Sequence, residues 1–198
     1  MIRIAYYLFL SVLSLLVLPL GVLLSILITL ESGFPILFTQ KRMGKGDRAF
    51  TLYKFRTMRI GADQEQEKLR SKNEADGPVF KIKNDPRFTR IGKFLSHIGL
   101  DELPQFINIW KGDMAIVGPR PLPVSEARNL SATQQERHSV KPGIISPWVL
   151  DGYHKKPFVQ WMKSDVAYAK RKNIPEDIVL FLRACVLPLR LLWGELSS

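Results

Sequence analysis

The chain contains few of the residues that build disulfide frameworks and structural metal centres. Its 198 residues include one cysteine, Cys185, and three histidines, at positions 97, 138 and 154. A single cysteine excludes an intramolecular disulfide and a cysteine-based zinc site. The histidines are too far apart in the sequence to match the ligand spacing of a zinc motif. Neither residue type therefore indicates a structural metal.

Acidic residues are also scarce relative to basic ones. The chain has 18 Asp and Glu against 29 Lys and Arg, which gives a formal net charge of +11. This balance excludes an acidic disordered protein and indicates an anionic partner. Hydrophobic residues make up 46% of the sequence, which is enough for the core of one domain plus an appendage.

Charge is absent from one long apolar segment near the N-terminus. No charged side chain occurs from Ile4 to Leu30, and this length suffices to cross a bilayer. Because a signal peptide has a shorter apolar region and a small-residue cleavage site, we expect the segment to be retained. Pro19 interrupts the run and leaves two topologies open. One is a kinked spanning helix, and the other is a helix that enters and leaves on the same face.

The basic residues that flank this segment are distributed unequally. Only Arg3 precedes it, whereas Lys41, Arg42, Lys45 and Arg48 follow it. The positive-inside rule therefore predicts that the bulk of the chain lies in the cytoplasm. It does not decide on which side residue 1 lies.

The remainder shows neither repeats nor a low-complexity linker, and short elements alternate with turns. Its pattern predicts strands over 36–40 and 49–55, helices over 62–72, 103–110, 131–140, 159–171 and 178–193, and turn-rich segments over 73–86 and 118–123. The last helix fits a membrane interface and a buried core equally well. The expected fold class is α+β, mainly helical with a short β-hairpin, with an N-terminal membrane helix and amphipathic interfacial helices.

Two adjacent carboxylates, Asp101 and Glu102, precede Pro104 at the predicted start of a helix. One interpretation is purely structural, with Asp101 as an N-cap and Glu102 stabilising the helix dipole. The other is chemical, because the N-terminus of a helix also binds phosphate. Two carboxylates beside a phosphate require a divalent cation between them, and Mg²⁺ suits that arrangement. One carboxylate would then act as nucleophile and the other as metal ligand.

Basic side chains occur in patterns that suit the same anionic substrate. Lys54 and Arg56 are two residues apart in a predicted strand and therefore project from one face. Arg120 is restricted by Pro119 and Pro121 on either side, and its guanidinium matches the geometry of a phosphate. Each of these residues taken alone is also consistent with a solvated surface charge.

Nucleic acid is the other anionic partner that the charge balance allows. The basic residues are spread along the chain, and no helix-turn-helix, zinc-finger or RNA-binding signature accompanies them. A basic domain that follows a membrane segment is more simply explained by acidic headgroups and a phosphorylated substrate. We therefore expect membrane lipids as partners and no nucleic acid.

Several sequence blocks, taken in order over residues 34–123, resemble the bacterial sugar transferase family. Any one block is weakly specific, but their common order is a strong signal, and a weaker match follows at Lys141-Pro142-Gly143-Ile144. The blocks are Ile36-Leu37-Phe38-Thr39-Gln40-Lys41-Arg42-Met43-Gly44, Tyr53-Lys54-Phe55-Arg56-Thr57-Met58, Val79-Phe80-Lys81, Asn84-Asp85-Pro86-Arg87-Phe88-Thr89-Arg90-Ile91-Gly92, Leu100-Asp101-Glu102-Leu103-Pro104-Gln105 with Asn108, Lys111-Gly112-Asp113-Met114, and Val117-Gly118-Pro119-Arg120-Pro121.

The resemblance is to the monotopic phosphoglycosyl transferases, and it implies a reaction. Members move a sugar 1-phosphate from a UDP-sugar to polyprenyl (undecaprenyl) phosphate and so initiate glycan or exopolysaccharide assembly. It implies that Asp101 attacks the sugar-linked β-phosphate, expels UMP and forms a phosphosugar–Asp intermediate. Polyprenyl phosphate then attacks that intermediate. Glu102, with Asp101, would hold Mg²⁺.

The resemblance also implies further substrate-binding residues. Arg120, with Pro119 and Pro121, would lie at the nucleotide or phosphate site. Three other positions match the family's motifs and are expected to bind substrate: Lys54, Arg56 and Arg87. Asp165, in the segment Lys163-Ser164-Asp165-Val166-Ala167-Tyr168, resembles an acidic position near the nucleotide.

The domain organisation and location follow from the same resemblance. Members of this type use a re-entrant membrane helix broken at a proline, so the expected domains are a membrane anchor over 1–33, broken near Pro19, and a catalytic domain over 34–198. The catalytic domain would face the cytoplasm at the bacterial inner membrane. The expected form is the minimal one, without the multi-span N-terminal region of larger relatives. Further partners would be a second copy of the chain or downstream glycosyl transferases.

The sequence departs from the family pattern in two places. Five positions before Asp101, where members often carry arginine, this chain has Ser96, followed by His97. The segment 144–152 differs from the usual run after Pro142-Gly143, which predicts an unusual sugar donor. An alternative function is therefore a catalytically impaired, membrane-bound scaffold of the same family. The intact Asp101-Glu102 pair argues against that alternative.

Overall fold

The structure is a computed structural model that describes residues 2–151 and 156–196, with the side chains of residues 4–151 and 156–186. Within these residues the α-helices are α1 (Ile2–Ser32), α2 (Ala62–Glu65), α3 (Arg90–Ile98), α4 (Phe106–Trp110), α5 (Val124–Ala127), α6 (Ala132–Gln135), α7 (Pro147–Leu150), α8 (Phe158–Arg171) and α9 (Ile174–Leu196). The strands are β1 (Leu37–Met43), β2 (Ala49–Phe55), β3 (Ala115–Val117) and β4 (Gly143–Ile145). Segments of 3₁₀ helix cover Lys45–Asp47, Glu67–Lys72, Leu100–Gln105 and Glu136–Ser139.

Helix α1 is the apolar segment that the sequence indicates. Four of its hydroxyl side chains, those of Ser11, Ser25, Thr29 and Ser32, bond to carbonyls one turn back and are thus satisfied within the helix. The helix ends at Gly33, whose φ of 73° is left-handed and stops propagation. It is long and apolar enough to cross a membrane by length and composition. It continues through Pro19 as one helical segment, so the break predicted there stays a prediction.

Both halves of α1 pack against the same folded body. In the N-terminal half, Leu10 is fully buried in a cluster that includes Phe50. In the C-terminal half, Ile28 is buried in a cluster that includes Phe55. Most other apolar side chains of the helix, among them Leu16, are exposed. The helix therefore docks through a narrow stripe at both ends and leaves the rest of its apolar surface uncovered within the described chain.

The predicted hairpin is confirmed. Strands β1 and β2 pair antiparallel from Leu37 opposite Phe55 to Met43 opposite Ala49. The outer edge of β2 is completed by Asn108 of α4, which is fully buried. Its amide accepts from Tyr53 N at 3.1 Å and donates to Thr51 O at 2.7 Å. Asn108 thus substitutes for a neighbouring strand and fixes α4 against β2.

A second, parallel pair joins β3 to β4. Ala115 aligns with Gly143 and Val117 with Ile145. The backbones approach so closely after β3 that a Cβ at Gly118 would collide with Lys141 and Gly143. Strand β3 thus leads directly into the segment in which Arg120 is flanked by two prolines.

The remaining helices were predicted with mixed accuracy. The helix predicted over 159–171 is α8, and the interval 178–193 lies inside α9. The interval 62–72 is a short α-helix followed by 3₁₀ turns, and 103–110 and 131–140 likewise combine the two. Within α9, several apolar side chains are exposed: Ile178, Val179, Leu182 and Val186.

Candidate active site

The paired carboxylates lie in the 3₁₀ helix Leu100–Gln105, directly after α3. Gly99, with a φ of 79°, ends α3 and starts this turn, so the cap position belongs to Gly99 rather than Asp101. The interpretation of Asp101 as an N-cap is therefore wrong. Its side chain instead packs toward β2, where it is almost completely buried.

Asp101 is a buried acid with a cationic neighbour. Lys54 Nζ of β2 lies 3.8 Å from its Oδ2. Burial raises the pKa of Asp101 to about 6, Lys54 and Arg120 act to lower it, and Glu102 acts to raise it. The carboxylate is therefore ionised at neutral pH but is poorly solvated, which are the properties of a usable nucleophile.

Glu102 pairs with Arg120, the arginine between two prolines. Arg120 Nη2 donates to Glu102 Oε1, and the arginine side chain is more exposed than the glutamate. The structure thus brings together four of the predicted site residues, namely Lys54, Asp101, Glu102 and Arg120. Each of the two adjacent carboxylates thus has a cationic partner, Lys54 for Asp101 and Arg120 for Glu102.

Pro119 and Pro121 lie beside this cluster. Together with Arg120 they line a shallow cleft that is open to solvent. The other residues that line the cleft are Met43, Gly44, Arg137, His138, Val140 and Pro142. Apolar rings and two arginines therefore share one recess next to the carboxylates.

Arg56 reaches a different target from Lys54, although only one residue separates them. Its Nη2 donates to Ser32 O at 2.9 Å and to Gly33 O at 2.6 Å. These are carbonyls at the C-terminal end of α1, where a cation is favoured. Arg56 is buried there and makes no described contact with Asp101 or Glu102.

Arg87 is also held away from the carboxylate pair in the described chain. Its guanidinium forms a forked, buried pair with Asp85, at 2.6 Å between Nη2 and Oδ2. It also donates to Ala62 O at 3.2 Å. These bonds join the Asp85–Arg87 segment to α2.

Asp165 of α8 is fully buried and forms an ion pair with Arg137 at 2.5 Å. Burial raises the pKa of Asp165 to about 6, and Arg137 acts to lower it, so the Asp165 carboxylate is ionised at neutral pH. The second contact of Arg137 Nη2 is the backbone carbonyl of Arg120. Asp165 therefore reaches the site indirectly, through Arg137.

Three residues near the site were missed by sequence reasoning, namely Arg42, Asn108 and Arg137. Arg137 lies among charged residues that resemble a solvated face, and its partner is 28 positions away. Arg42 belongs to the basic residues that follow the membrane segment and to the first family block, and neither pattern indicates a role for it in the site. Asn108 was quoted within a motif without a role. The two prolines around Arg120 were the one indication in the sequence. Because proline has no backbone N–H, this segment cannot form a regular strand, and side chains are then needed to hydrogen-bond its carbonyls.

The two carboxylates fit a magnesium ion that is shared with a substrate. Hard carboxylate oxygens suit Mg²⁺, which commonly takes one or two protein carboxylates and completes its shell with phosphate and water. Among the residues that the structure describes, no group of three or more His, Cys, Asp and Glu is placed to hold a metal. The donor set therefore suits Mg²⁺ bound with a phosphorylated substrate rather than in a closed protein cage.

Residues 1–190 match the family model described as bacterial sugar transferase. The chain is 42% identical over 153 residues to the galactosyl transferase CpsE of Streptococcus agalactiae, covering 77% of this chain and 34% of the relative. It is 47% identical over 104 residues to a putative undecaprenyl-phosphate N-acetylgalactosaminyl 1-phosphate transferase of Bacillus subtilis, covering 52% of each. It is 32% identical over 179 residues to the undecaprenyl-phosphate galactose phosphotransferase of Salmonella typhimurium, covering 87% of this chain and 37% of the relative. The chain thus spans between a third and a half of the length of these relatives.

Proposed function

Because this chain belongs to the bacterial sugar transferase family, we propose that it transfers a sugar 1-phosphate from a UDP-sugar to undecaprenyl phosphate. The observation that carries the proposal is the buried Asp101, which lies between Lys54 and the Glu102–Arg120 pair. The name of the Salmonella typhimurium relative supports undecaprenyl phosphate as the acceptor, and that of an Aeromonas hydrophila relative, UDP-N-acetylgalactosamine-undecaprenyl-phosphate N-acetylgalactosaminephosphotransferase, supports a UDP-sugar as the donor.

In the first step, the Asp101 carboxylate attacks the β-phosphorus of the UDP-sugar. A bond forms between Asp101 Oδ and this phosphorus, and the bond from the phosphorus to the oxygen bridging to the α-phosphate breaks. UMP leaves with that oxygen and its electron pair. The product on the protein is an acyl phosphate that carries the sugar. The high pKa of Asp101 supports this role, since a poorly solvated carboxylate is the more reactive nucleophile.

In the second step, a phosphate oxygen of undecaprenyl phosphate attacks the same phosphorus. The aspartyl oxygen leaves, which regenerates the carboxylate and releases undecaprenyl diphosphosugar. A covalent intermediate lets two bulky anions use one site in turn, so the kinetics are ping-pong.

The neighbouring side chains stabilise the charge that moves between oxygens. Lys54 orients the Asp101 carboxylate, and Arg120 contacts the phosphates of the donor. Asp101 and Glu102 would hold Mg²⁺ together with the diphosphate. When bound, the ion supplies positive charge to the phosphate oxygens. Glu102 would then exchange part of its contact with Arg120 for the metal.

The proposed lipid acceptor requires an active site that is close to the membrane, and the apolar helix α1 would hold it there. Extracting a polyprenyl chain from the bilayer costs about 0.8 kcal/mol per CH₂, so the nucleophile must work at headgroup depth. We propose that α1 is re-entrant and that the catalytic domain faces the cytoplasm at the inner membrane. The packing of both halves of α1 on one body supports this topology.

The scaffold alternative rests on two departures from the family pattern, the altered segment after Gly143 and Ser96. In the described part of that segment, β4 and α7 still supply Trp148, which is buried and stacks on Trp161 at 4.6 Å. Ser96 lies on α3 and is half-buried, so this position offers a hydroxyl where family members often carry an arginine.

The experiment that separates the two functions is UMP release by the purified chain. Wild type, Asp101→Asn and Glu102→Gln are incubated with undecaprenyl phosphate, Mg²⁺ and a panel of UDP-sugars. We expect acceptor-dependent UMP from one donor, and at least about a 1,000-fold loss in the Asp101 variant because the covalent route is removed. The matched control is Asp63→Asn, which alters an exposed carboxylate on α2.

Two outcomes would contradict the proposal. Release of UDP instead of UMP would mean that the sugar is transferred without its phosphate. An absence of turnover with every donor would favour the scaffold.

A further inference from the structure

The segment Pro119–Leu122 has few backbone N–H groups with which to form hydrogen bonds. Prolines at 119 and 121 carry no N–H, so this segment cannot enter a regular ladder of backbone bonds. Its carbonyls nevertheless all accept hydrogen bonds. Pro119 O accepts from Gly143 N at 3.0 Å, and Leu122 O accepts from Met43 N at 2.9 Å.

The two central carbonyls accept from arginine side chains. Arg120 O accepts from Arg137 Nη2, and Pro121 O accepts from Arg42 Nη1 at 3.1 Å. Backbone bonds therefore hold the ends of the segment, and two guanidinium groups from different elements hold its middle.

Arg137 is itself fixed by a buried anion. Its side chain is 1% exposed, and the Asp165 side chain that pairs with it is 0% exposed. An ion pair of this kind is costly to form, and the loss of one partner is costlier still. Such a pair is a rigid support, because moving the guanidinium away from Asp165 would leave both charges buried and unpaired.

We infer that Arg137, held by Asp165, and Arg42 are positioning residues for Arg120. By holding the carbonyls of residues 120 and 121, they direct the Arg120 guanidinium toward Glu102 and the donor phosphates. This inference rests on the proposed function for the identity of the ligand. It assigns to Asp165 a supporting role through Arg137 rather than a contact with nucleotide.

The test is a double-mutant cycle with Arg120→Ala. The neutral pair Arg137→Gln/Asp165→Asn removes the charges together, which avoids stranding one of them in the core. We expect Arg120→Ala to lower kcat/KM about 100-fold, as loss of one charge-stabilising donor does. The neutral pair should lower it about 10- to 100-fold through misplacement. The combined variant should match Arg120→Ala alone within about twofold, because the pair acts only through that side chain.

Arg42 provides a second cycle that involves no buried ion pair. Arg42→Met removes the donor to Pro121 O, whereas Arg42→Lys retains a cationic donor on a stem of similar length. We expect Met to lower kcat/KM about tenfold and Lys to restore it to within about threefold of wild type. In the Arg120→Ala background neither change should matter. Arg128→Gln, an exposed arginine next to α5, is the matched control.

UDP affinity, measured by calorimetry on the same variants, separates this inference from the proposed function. If wild type binds UDP but does not turn over, non-additive losses of affinity still support positioning while the proposed chemistry fails. Losses that multiply in both cycles, or an Arg42→Lys variant as impaired as Arg42→Met, would overturn positioning while the transferase function stands. A wild type that neither binds UDP nor releases UMP from any UDP-sugar would overturn both.

Discussion

At the scale of single residues, Asp101 combines burial with charge, and the two oppose each other. Its pKa of about 6 in the folded chain compares with an ordinary value of 3.8. The folded state therefore holds the proton more tightly than the unfolded state. The destabilisation caused by the ionised form is complete above about pH 6 and vanishes as the pH falls below about 4.

Asp101→Asn is accordingly expected to stabilise the fold at neutral and alkaline pH. The shift of about two pKa units sets an upper limit of about 3 kcal/mol on the gain. For a chain of this length, each kcal/mol raises Tm by about 2–4 °C. The measurement is thermal unfolding in detergent at pH 8 and pH 4.5.

The pH dependence distinguishes this effect from a general gain in stability. The difference from wild type should be large at pH 8 and small at pH 4.5. Asp63→Asn, at an exposed position on α2, should change neither. An Asp101 variant that is less stable than wild type at pH 8 would show that the carboxylate contributes net attraction to the fold.

The sequence was sufficient to indicate Asp101, Glu102, Lys54 and Arg120 as a group, because the order of the motifs and the pattern of charges can both be read without knowing how distant elements pack. It was insufficient for Arg137. The ion pair between α8 and the 3₁₀ helix Glu136–Ser139 depends on how these two elements pack. A local sequence pattern cannot predict that packing.

At the scale of elements, α3 sets the approach to the carboxylate turn. Gly92 lies against the backbone of Thr57, so closely that a Cβ there would overlap it. Thr89 caps the helix by accepting from Gly92 N at 2.9 Å. The first turn of α3 is thus fixed to the chain just beyond β2, and its C-terminal end leads into Leu100–Gln105.

Gly92→Ala is expected to destabilise the protein strongly, because backbone must move to admit the methyl group. Overpacking of this kind costs about 1–3 kcal/mol, and backbone contact places Gly92 at the upper end. The expected fall in Tm is roughly 5–10 °C. Gly21→Ala is the control, since nothing lies within 4 Å of its Cβ position. Equal Tm values for the two variants would contradict the tight contact.

Helices and strands were predictable where the pattern of apolar and polar side chains is enough to specify the type of element. The hairpin follows from two runs of strand-forming residues around a Gly-rich turn, and α8 follows from its helical periodicity. The intervals that became mixed α and 3₁₀ helix were not predictable in detail. They are short, and contacts with neighbouring elements decide their hydrogen-bond pattern.

At the scale of the whole molecule, α1 is the element that determines topology. Leu10 in its N-terminal half and Ile28 in its C-terminal half both contact the folded body, and the proposed re-entrant topology would keep both contacts on one side of the membrane. A spanning helix would carry one of these residues away from the catalytic domain. Both ends are therefore expected on the same side of the membrane.

This topology can be measured with single cysteines in a Cys185→Ser background, since the native thiol is exposed. Arg3→Cys and Phe34→Cys report on the two ends of the helix, and Lys68→Cys marks the catalytic domain. We expect a membrane-impermeant thiol reagent to label all three in inverted vesicles and none in right-side-out vesicles.

Labelling after detergent solubilisation shows that each thiol is reactive. If Arg3→Cys were labelled only in right-side-out vesicles while Phe34→Cys and Lys68→Cys kept the opposite pattern, the helix would be spanning. The re-entrant topology would then be wrong.

The contacts of Arg56 and Lys54 have a consequence for building chimaeras. Arg56 ties β2 to the end of α1, and Lys54, two residues earlier, reaches Asp101. Because Lys54 and Arg56 are about 7 Å apart along one strand, a short rigid element links the contact with α1 to the contact with Asp101. Loops around the cleft can be exchanged between relatives without altering the depth at which chemistry occurs. Under the proposed mechanism, an exchange that shifts the register of β2 is expected to displace Asp101 from the depth at which it meets the lipid acceptor.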